Sequence, residues 1–451
     1  MFTQAFTIAR NTFVESVRQP ILLLLVLITG LLQVFNTWTA AFTMGRSSAA
    51  EVHGDNKLLL DVGLATIFGA GVLMAAFLAT AVVSSEIDRK TMLTVVSKPI
   101  ARGWVVLGKY LGVAGAIAWA AVIMLLFLLL AIRHGVMTTA GDHLDMPVIL
   151  FGFGAVLGAL LLAAAANYMY GWSFNQTALV AMLPLVALAY LGVLLVSKEW
   201  KLQPITADLP VKTVTACAAM LLAILVLAAI ATAASTRLGQ VMTIVVCAGV
   251  FVGGLLSNYL LGRQAFSNTI VGVVHTAQPA ADSNPDPSAR GALLEVTLKE
   301  PPRQEIPIGS PFYYGPNPNG FALVTGNFTP FQGDPSDTPS LFAPDTPPGL
   351  IVKQVDGKTL TVQNIGRTPL KLSRPPREDD YVFITPTRIA PLPAALWAMI
   401  PNMHYFWLLD AVTQNRDIPL SHLLQVALYA LLQIAAFLAL AIALFQRRDV
   451  G

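Results

Sequence analysis

Long apolar runs separated by short polar joints fill most of this chain. A helix needs about 20 mostly apolar residues to cross the bilayer hydrocarbon. Eight stretches meet that length: 20–37, 62–84, 105–132, 147–170, 176–196, 214–234, 241–261 and 420–445. The joints between the fourth and fifth, and between the sixth and seventh, are very short and look alike, with Ala-rich helix, Ser, turn, helix. Ahead of the first run, residues 1–19 carry Arg10, Glu15 and Arg18 among apolar positions. A long apolar run without a small-residue cleavage site follows, so this start reads as an uncleaved amphipathic entry rather than a signal peptide.

The pattern changes after residue 262. Short runs at 269–274, 293–298, 321–325, 350–355, 359–364 and 380–384 read as strands, and Asp356-Gly357 between two alternating runs predicts a hairpin. Residues 326–348, dense in Pro, Gly, Ser and Asp, predict a long loop. The expected architecture is an α-helical polytopic membrane protein with a β-rich extracytoplasmic domain inserted before the last helix. Its parts are a transmembrane domain over 1–262, the β-rich domain over 263–391, and an interfacial segment with the last helix over 392–451. In that segment Trp397, Tyr405, Phe406 and Trp407 are the aromatic amphipathic type that sits at a membrane interface.

Composition sharpens this. Only 12% of the 451 residues are charged and 55% are hydrophobic, against roughly 25% charged in a soluble domain. The insert at 264–391 holds 22 of the charges and 20 of the 29 prolines, leaving the rest very apolar. A net charge of +3 gives no reason to expect nucleic acid. Cys217 and Cys247 lie in apolar runs without a CxxC, so neither a disulfide framework nor a thiolate metal site is expected. With the N-terminus inside, short inner segments hold ten basic residues and short outer loops six. That bias puts both termini in the cytoplasm, in a cell (inner) membrane, and the insert outside.

What the spans lack bears on function. Their central portions contain no Asp, Glu, Arg or His, whereas ion-coupled carriers place ionisable groups there. No GxxxxGK[ST] loop occurs, so ATP is not bound through that motif and any ATP hydrolysis falls to a partner; the chain itself is not expected to be an enzyme. Glycine pairs at 108/112, 154/158 and 249/253 read as the ordinary abundance of Gly in membrane helices.

The longest inner loop, 85–110, reads SEIDRKTMLTVVSKPIARGWVVLGKY. A mixed-charge cluster, a short half-apolar run and a basic Pro-containing end suit docking on a soluble partner. The order acid–x–acid–basic, Thr, hydrophobics, Pro-Ile, Arg and Leu-Gly-Lys resembles the signature loop of type-2 ATP-binding-cassette (ABC) permeases. The opening IARNTFVESVRQP is similar to that family's entrance helix, and the end, from IPNMHYF to LFQRRD, resembles its C-terminus. The family often has Gly where this chain has Lys90, and usually six spans, so the fourth and fifth would be an added pair. The resemblance implies a permease subunit of an exporter, working with a second permease copy or homologue and a dimer of cytoplasmic ABC ATPases. By position it assigns coupling to Glu86, Asp88, Arg89, Thr91, Pro99 and Arg102, with Glu15 and Arg18 on the entrance helix.

The apolar spans favour a lipidic or amphiphilic cargo and contact with membrane lipid. The alternative is a non-transporting scaffold that couples a partner ATPase mechanically to the β-domain; an ATP-independent channel is a weaker third. Exposed strand edges in the insert would offer a partner strand addition. The loop 133–147, with His134, Asp142, His143 and Asp145, lacks ligand spacing and reads as a solvated loop; no metal or cofactor is expected.

Overall fold

The structure is a computed structural model that describes residues 2–40, 48–84, 101–136, 144–280, 283–318, 328–408, 412 and 418–446. The chain forms two compact units, Met1–Val252 with Met403–Gly451, and Gly253–Asn402.

In the first unit, helix α1 (Phe2–Arg18) is followed by α2 (Pro20–Thr39). The break falls at Gln19, whose backbone is extended because the residue before a proline is pushed out of the helical region, while Pro20 suits the first helical turn. Helix α3 (Ser48–Ala79) runs on into a wider π turn, Thr80–Ser84. Helix α4 (Arg102–His134) has 33 residues, an axial length of about 50 Å. Helices α5 (Met146–Tyr170) and α6 (Phe174–Leu195) form a hairpin. Asp145 caps the start of α5, and left-handed Gly171 ends it. Then come α7 (Val211–Ser235) and α8 (Gln240–Ser257), the latter prolonged by a π turn over Asn258–Gly262. Last is α10 (Leu420–Gln446), after a short α9 (Pro391–Met399).

Among the described residues, eight helices are long and apolar enough to span a membrane, in the places the apolar runs predict. Their burial differs. Some 67% of the most apolar stretch is buried for α3 and α7 and 61% for α4, against 17% for α5 and α8. The first three therefore form the centre, and α4 packs against α1, α2, α3, α6, α7 and α10. Side-chain amides pin α2 to α3: Gln33 donates to the Gly63 carbonyl at 3.0 Å and Asn36 to that of Leu59 at 2.7 Å. In an apolar core these bonds satisfy groups that would otherwise be costly to bury.

The second unit carries strands β1 (Phe266–Ser267), β2 (Ile270–Pro279), β3 (Leu293–Leu298), β4 (Tyr313–Gly315), β5 (Gly349–Asp356), β6 (Thr359–Ile365), β7 (Tyr381–Phe383) and β8 (Arg388–Ile389). Six make one antiparallel sheet in the order β4-β7-β2-β3-β6-β5, while β1 and β8 pair separately. Strand β2 gives its first half to β7 and its second to β3, changing partner at an irregularity around His275. The two sheet ends meet. Gly309 and Phe312 donate to the Val352 and Leu350 carbonyls at 2.7 and 2.8 Å, and Val352 donates to that of Ser310 at 2.9 Å, before the same segment enters β4 beside β7. The sheet is thus a closed barrel around Val271, Val274, Val296, Phe312, Tyr314, Val352 and Val362.

Closure pairs both ends of this sheet among the described residues, whereas the β1–β8 ribbon pairs with no further described strand and keeps edges of the kind expected as a docking feature. The Asp356-Gly357 hairpin forms as predicted, with Gly357 at φ 55°. The expected strand at 321–325 lies outside the described residues. Strand β4 was not anticipated, being three residues between prolines.

Candidate functional site

Helix α1 is amphipathic. Ala5, Thr12, Ser16 and Val17 are buried, whereas Arg10, Asn11, Glu15 and Arg18 are exposed. Its buried face lies against glycines of α4. A Cβ on Gly108 would sit 2.8 Å from the Ala5 carbonyl oxygen, and one on Gly112 would sit 2.6 Å from that of Ala9. Only glycine allows the two backbones this approach. The 154/158 and 249/253 pairs meet no such neighbour, so the abundance reading holds for them and fails for 108/112. Further along, Phe13 packs edge-on against Trp119 at 6.3 Å, and Trp119 donates to the Leu179 carbonyl of α6 at 2.9 Å.

The end of α1 is fastened as well. Arg18 Nε donates to Gln176 Oε1 at 2.8 Å, and Asn175 donates to the Arg18 carbonyl at 3.3 Å. The exposed face of α1 borders an open cavity of about 550 Å³ lined by Arg10, Asn11, Val14, Glu15, Arg18 and Gln19. Glu15 and Arg18, assigned coupling roles by resemblance, both line it.

Three cations gather around helix ends on this side. Lys109 is buried, and its ammonium donates to the Val82 carbonyl in the π turn that ends α3, at 3.1 Å. Arg102, in the first turn of α4, donates to the Gln446 carbonyl at 3.2 Å. Arg237, in the turn between α7 and α8, donates through Nε and Nη2 to the Leu444 carbonyl at 3.1 and 2.8 Å. The last carbonyls of a helix lack intrahelical donors and carry partial negative charge, so a cation satisfies both needs. One end of α4 therefore holds α1 through glycines, α3 through Lys109 and α10 through Arg102.

Of the loop residues assigned coupling roles, Glu86, Asp88, Arg89, Thr91 and Pro99 lie outside the described residues. So do His143, Asp142 and the basic pair 447–448. Sequence reasoning missed Arg237. It appeared only as one basic residue in a short turn, and its partner carbonyl lies 207 residues away in the chain. Lys109 appeared only as the last residue of the Leu-Gly-Lys stretch, and its bond to the Val82 carbonyl had no sequence signal.

The opposite end of α4 carries Arg133. Its guanidinium meets Asp145 at 2.6 Å and Asp208 at 3.1 Å. The Asp145 side chain is fully buried and also accepts the Val148 amide at 3.3 Å. Asp145 is thereby committed to an ion pair and a helix cap, and no metal-ligand group occurs among the described residues.

The aromatic residues expected at the interface fall in both units. Trp397 on α9 packs edge-on against Phe266 at 5.9 Å and donates to Asn258 Oδ1 at 3.1 Å. Tyr405 and Phe406 pack on Tyr429 of α10 at 5.3 and 5.9 Å, and Trp407 is half-buried. Burial pushes the Tyr405 phenol above its ordinary pKa. Helix α9 stops at Met399, because Ile400 precedes Pro401 and turns extended.

Residues 6–167 match the family model described as ABC-2 family transporter protein. The matched stretch takes in α1 through most of α5, including the glycine contact and the Lys109 and Arg102 fastenings. No curated protein and no solved structure matches the chain.

Proposed function

We propose, from the match of residues 6–167 to the ABC-2 family transporter protein model, that the chain is the membrane-spanning subunit of an exporter-type complex driven by separate ATP-binding subunits. Permeases of this family are multi-pass transmembrane subunits, generally non-catalytic, and the family implies pairing with an ATP-binding subunit. In this reading the ATPase dimer docks at the end of α4 that carries α1. That end is cytoplasmic, both termini lie there in an inner membrane, and residues 263–391 lie outside. A second permease copy or homologue completes the pathway, and the cargo is lipidic or amphiphilic.

One observation carries the proposal. The entrance helix, the exit of α3 toward loop 85–100 and the end of the last span are all fastened to the same end of α4. A displacement of α1 or of the loop is thereby delivered to a buried helix about 50 Å long. Contacts through Glu86, Asp88, Arg89, Thr91, Pro99, Arg102, Glu15 and Arg18 couple to ATP only where they differ between the nucleotide states.

The test is ATPase stimulation by the reconstituted permease. Gly112→Leu drives a side chain into α1, an overpacking of about 1–3 kcal/mol, and is expected to lower stimulation on the order of tenfold. Charge reversal at Glu86 together with Arg89 is expected to uncouple hydrolysis without unfolding the spans. Unchanged stimulation in both variants overturns the coupling assignment. A mechanical role without transport gains support from the tie between the barrel's root and α8 through Asn258. ATP-driven lipid movement in vesicles of defined composition separates the readings, since a mechanical coupler moves none.

A further inference from the structure

Helix α9 is a short helix held from behind and bare in front. Behind, Trp397 donates to Asn258 Oδ1 at 3.1 Å, and Asn402 donates to the same oxygen at 2.7 Å. The Ala390 amide donates to the Ala265 carbonyl at 2.9 Å, and β1 pairs with β8 immediately before the helix. Every one of these ties goes to the last turns of the span 240–265 or to the residues just after it. In front, Leu392, Leu396 and Met399 are 70%, 46% and 71% exposed. Their spacing of i, i+4, i+7 puts them on one stripe.

The position of Asn258 sets the depth of this stripe. The span 240–265 has its midpoint between residues 252 and 253, so Asn258 lies about 8 Å along the axis from the centre at 1.5 Å per residue. The hydrocarbon half-thickness is about 15 Å, which leaves Asn258 about 7 Å below the boundary for an upright helix. Interfacial helices bury their apolar face to about 5–10 Å. The same span is itself apolar and exposed around Asn258, where Leu256, Tyr259 and Leu260 are 46%, 60% and 52% exposed. Arg263, in the last turn of the span and stacked 4.3 Å over the Tyr259 ring, and exposed Arg388, just after it in the β1–β8 pair, supply cations near the hydrocarbon boundary, where lipid phosphates lie.

We infer that α9 is an in-plane membrane anchor. Leu392, Leu396 and Met399 enter the leaflet from which α8 emerges, and Asn258, through Trp397 and Asn402, is the positioning residue that sets their depth. The barrel is consequently held at the lipid surface rather than tethered by flexible linkers. Trp397, placed at the interface by its residue type, serves in this assignment as the hinge pin of the anchor. The aliphatic stripe is the part that meets lipid. The inference depends on α8 crossing the bilayer and is independent of ATP coupling.

The experiment uses the full chain in phosphatidylcholine–phosphatidylglycerol nanodiscs, with single nitroxide labels at 392, 396 and 399. A label at Ile308, exposed on the barrel, is the aqueous reference. Oxygen is expected to dominate collisions at the three stripe positions, at a depth of about 5–10 Å, and a water-soluble nickel reagent at 308. Trp397→Phe keeps the ring against Phe266 but loses the indole donor, and Asn258→Leu removes the acceptor. Both are expected to move the stripe labels toward water while barrel hydrogen exchange stays unchanged. Equal aqueous access at all four positions overturns the inference. So does exclusion of both reagents from the stripe, which would mean that protein covers it. Unchanged depth in both variants removes the role of Asn258.

Discussion

The membrane unit and the barrel unit use charge in opposite ways. In the membrane unit charged side chains are few, and Arg102, Lys109, Arg133 and Arg237 each tie their own segment to a distant one. In the barrel unit they are plentiful, and many are solvated. Lys299 reaches Asp379 at 2.6 Å and Glu378 at 3.6 Å with all three side chains well exposed. The same pairing chemistry therefore carries very different weight. Water screens the barrel's pairs, whereas a buried group in the spans has no aqueous alternative. Among scarce charges these four cations act as fasteners, and the 12% average charge hides that division.

The largest effect is expected where a charge would be left alone. Arg133→Ala strands the fully buried Asp145 carboxylate and is expected to cost about 3–5 kcal/mol, seen as a fall in the unfolding midpoint of the protein in lipid nanodiscs. Arg133→Met with Asp145→Leu removes both charges and is expected to recover most of that loss. If the single variant matches wild type, buried charge does not fasten the membrane unit.

Within the barrel the nearest counterpart is Arg374 with Asp380, a two-pronged pair at 2.6 and 2.8 Å. Asp380 is 3% exposed and also accepts the Arg377 amide at 2.8 Å, while Arg374 accepts the Tyr314 hydroxyl on its carbonyl. Asp380→Asn is expected to cost about 1.5–3 kcal/mol, the range for hydrogen bonds to charged groups. The loss should appear as faster hydrogen exchange in β4 and β7, with the spans unaffected. A loss as large as that of Arg133→Ala would erase the contrast between the units.

Legibility in the sequence follows the range of the interactions. The spans were readable because each satisfies its own backbone and must be apolar for about 20 residues. The β5–β6 hairpin was readable because Asp356-Gly357 encodes it locally. Barrel closure was not, since Gly309–Phe312 meets β5 only after the chain has gone round, and strand β4 is too short to show alternation. The inner fastenings were half legible. Arg102 and Arg18 stood out by charge and resemblance, but a cation bonded to a carbonyl leaves no paired signal. Gly112 looked like any membrane glycine until α1 was seen lying on it.

Arg237 tests the fastener idea at lower cost to folding. It is exposed and bonded to a neutral partner, so Arg237→Gln is expected to lose about 0.3–1 kcal/mol. A double-mutant cycle with Arg102→Gln should show coupling, because both hold the last turn of α10. Additive effects would mean that the two arginines act on independent parts of that helix end.

The smallest effect belongs to the exposed barrel carboxylate Asp334. Its Oδ1 accepts the Ser336 amide at 2.9 Å and the Ser336 hydroxyl at 2.6 Å, which holds its pKa below the usual carboxylate value. A lowered folded pKa means that this group's contribution is fully present above the ordinary value and fades as pH falls through the lowered one. Lys299 runs the other way. Its hydrogen bond to Asp379 raises its pKa, so its contribution is present below the ordinary lysine value and fades as pH rises through the raised one. Amide exchange at Ser336, corrected for intrinsic rates, is therefore expected to quicken in mild acid in wild type. In Asp334→Asn it should not respond to pH over that window. Both groups are open to water, so neither change should reach the unfolding midpoint. A midpoint shift as large as that of Asp380→Asn would show that the barrel, too, depends on its surface charge.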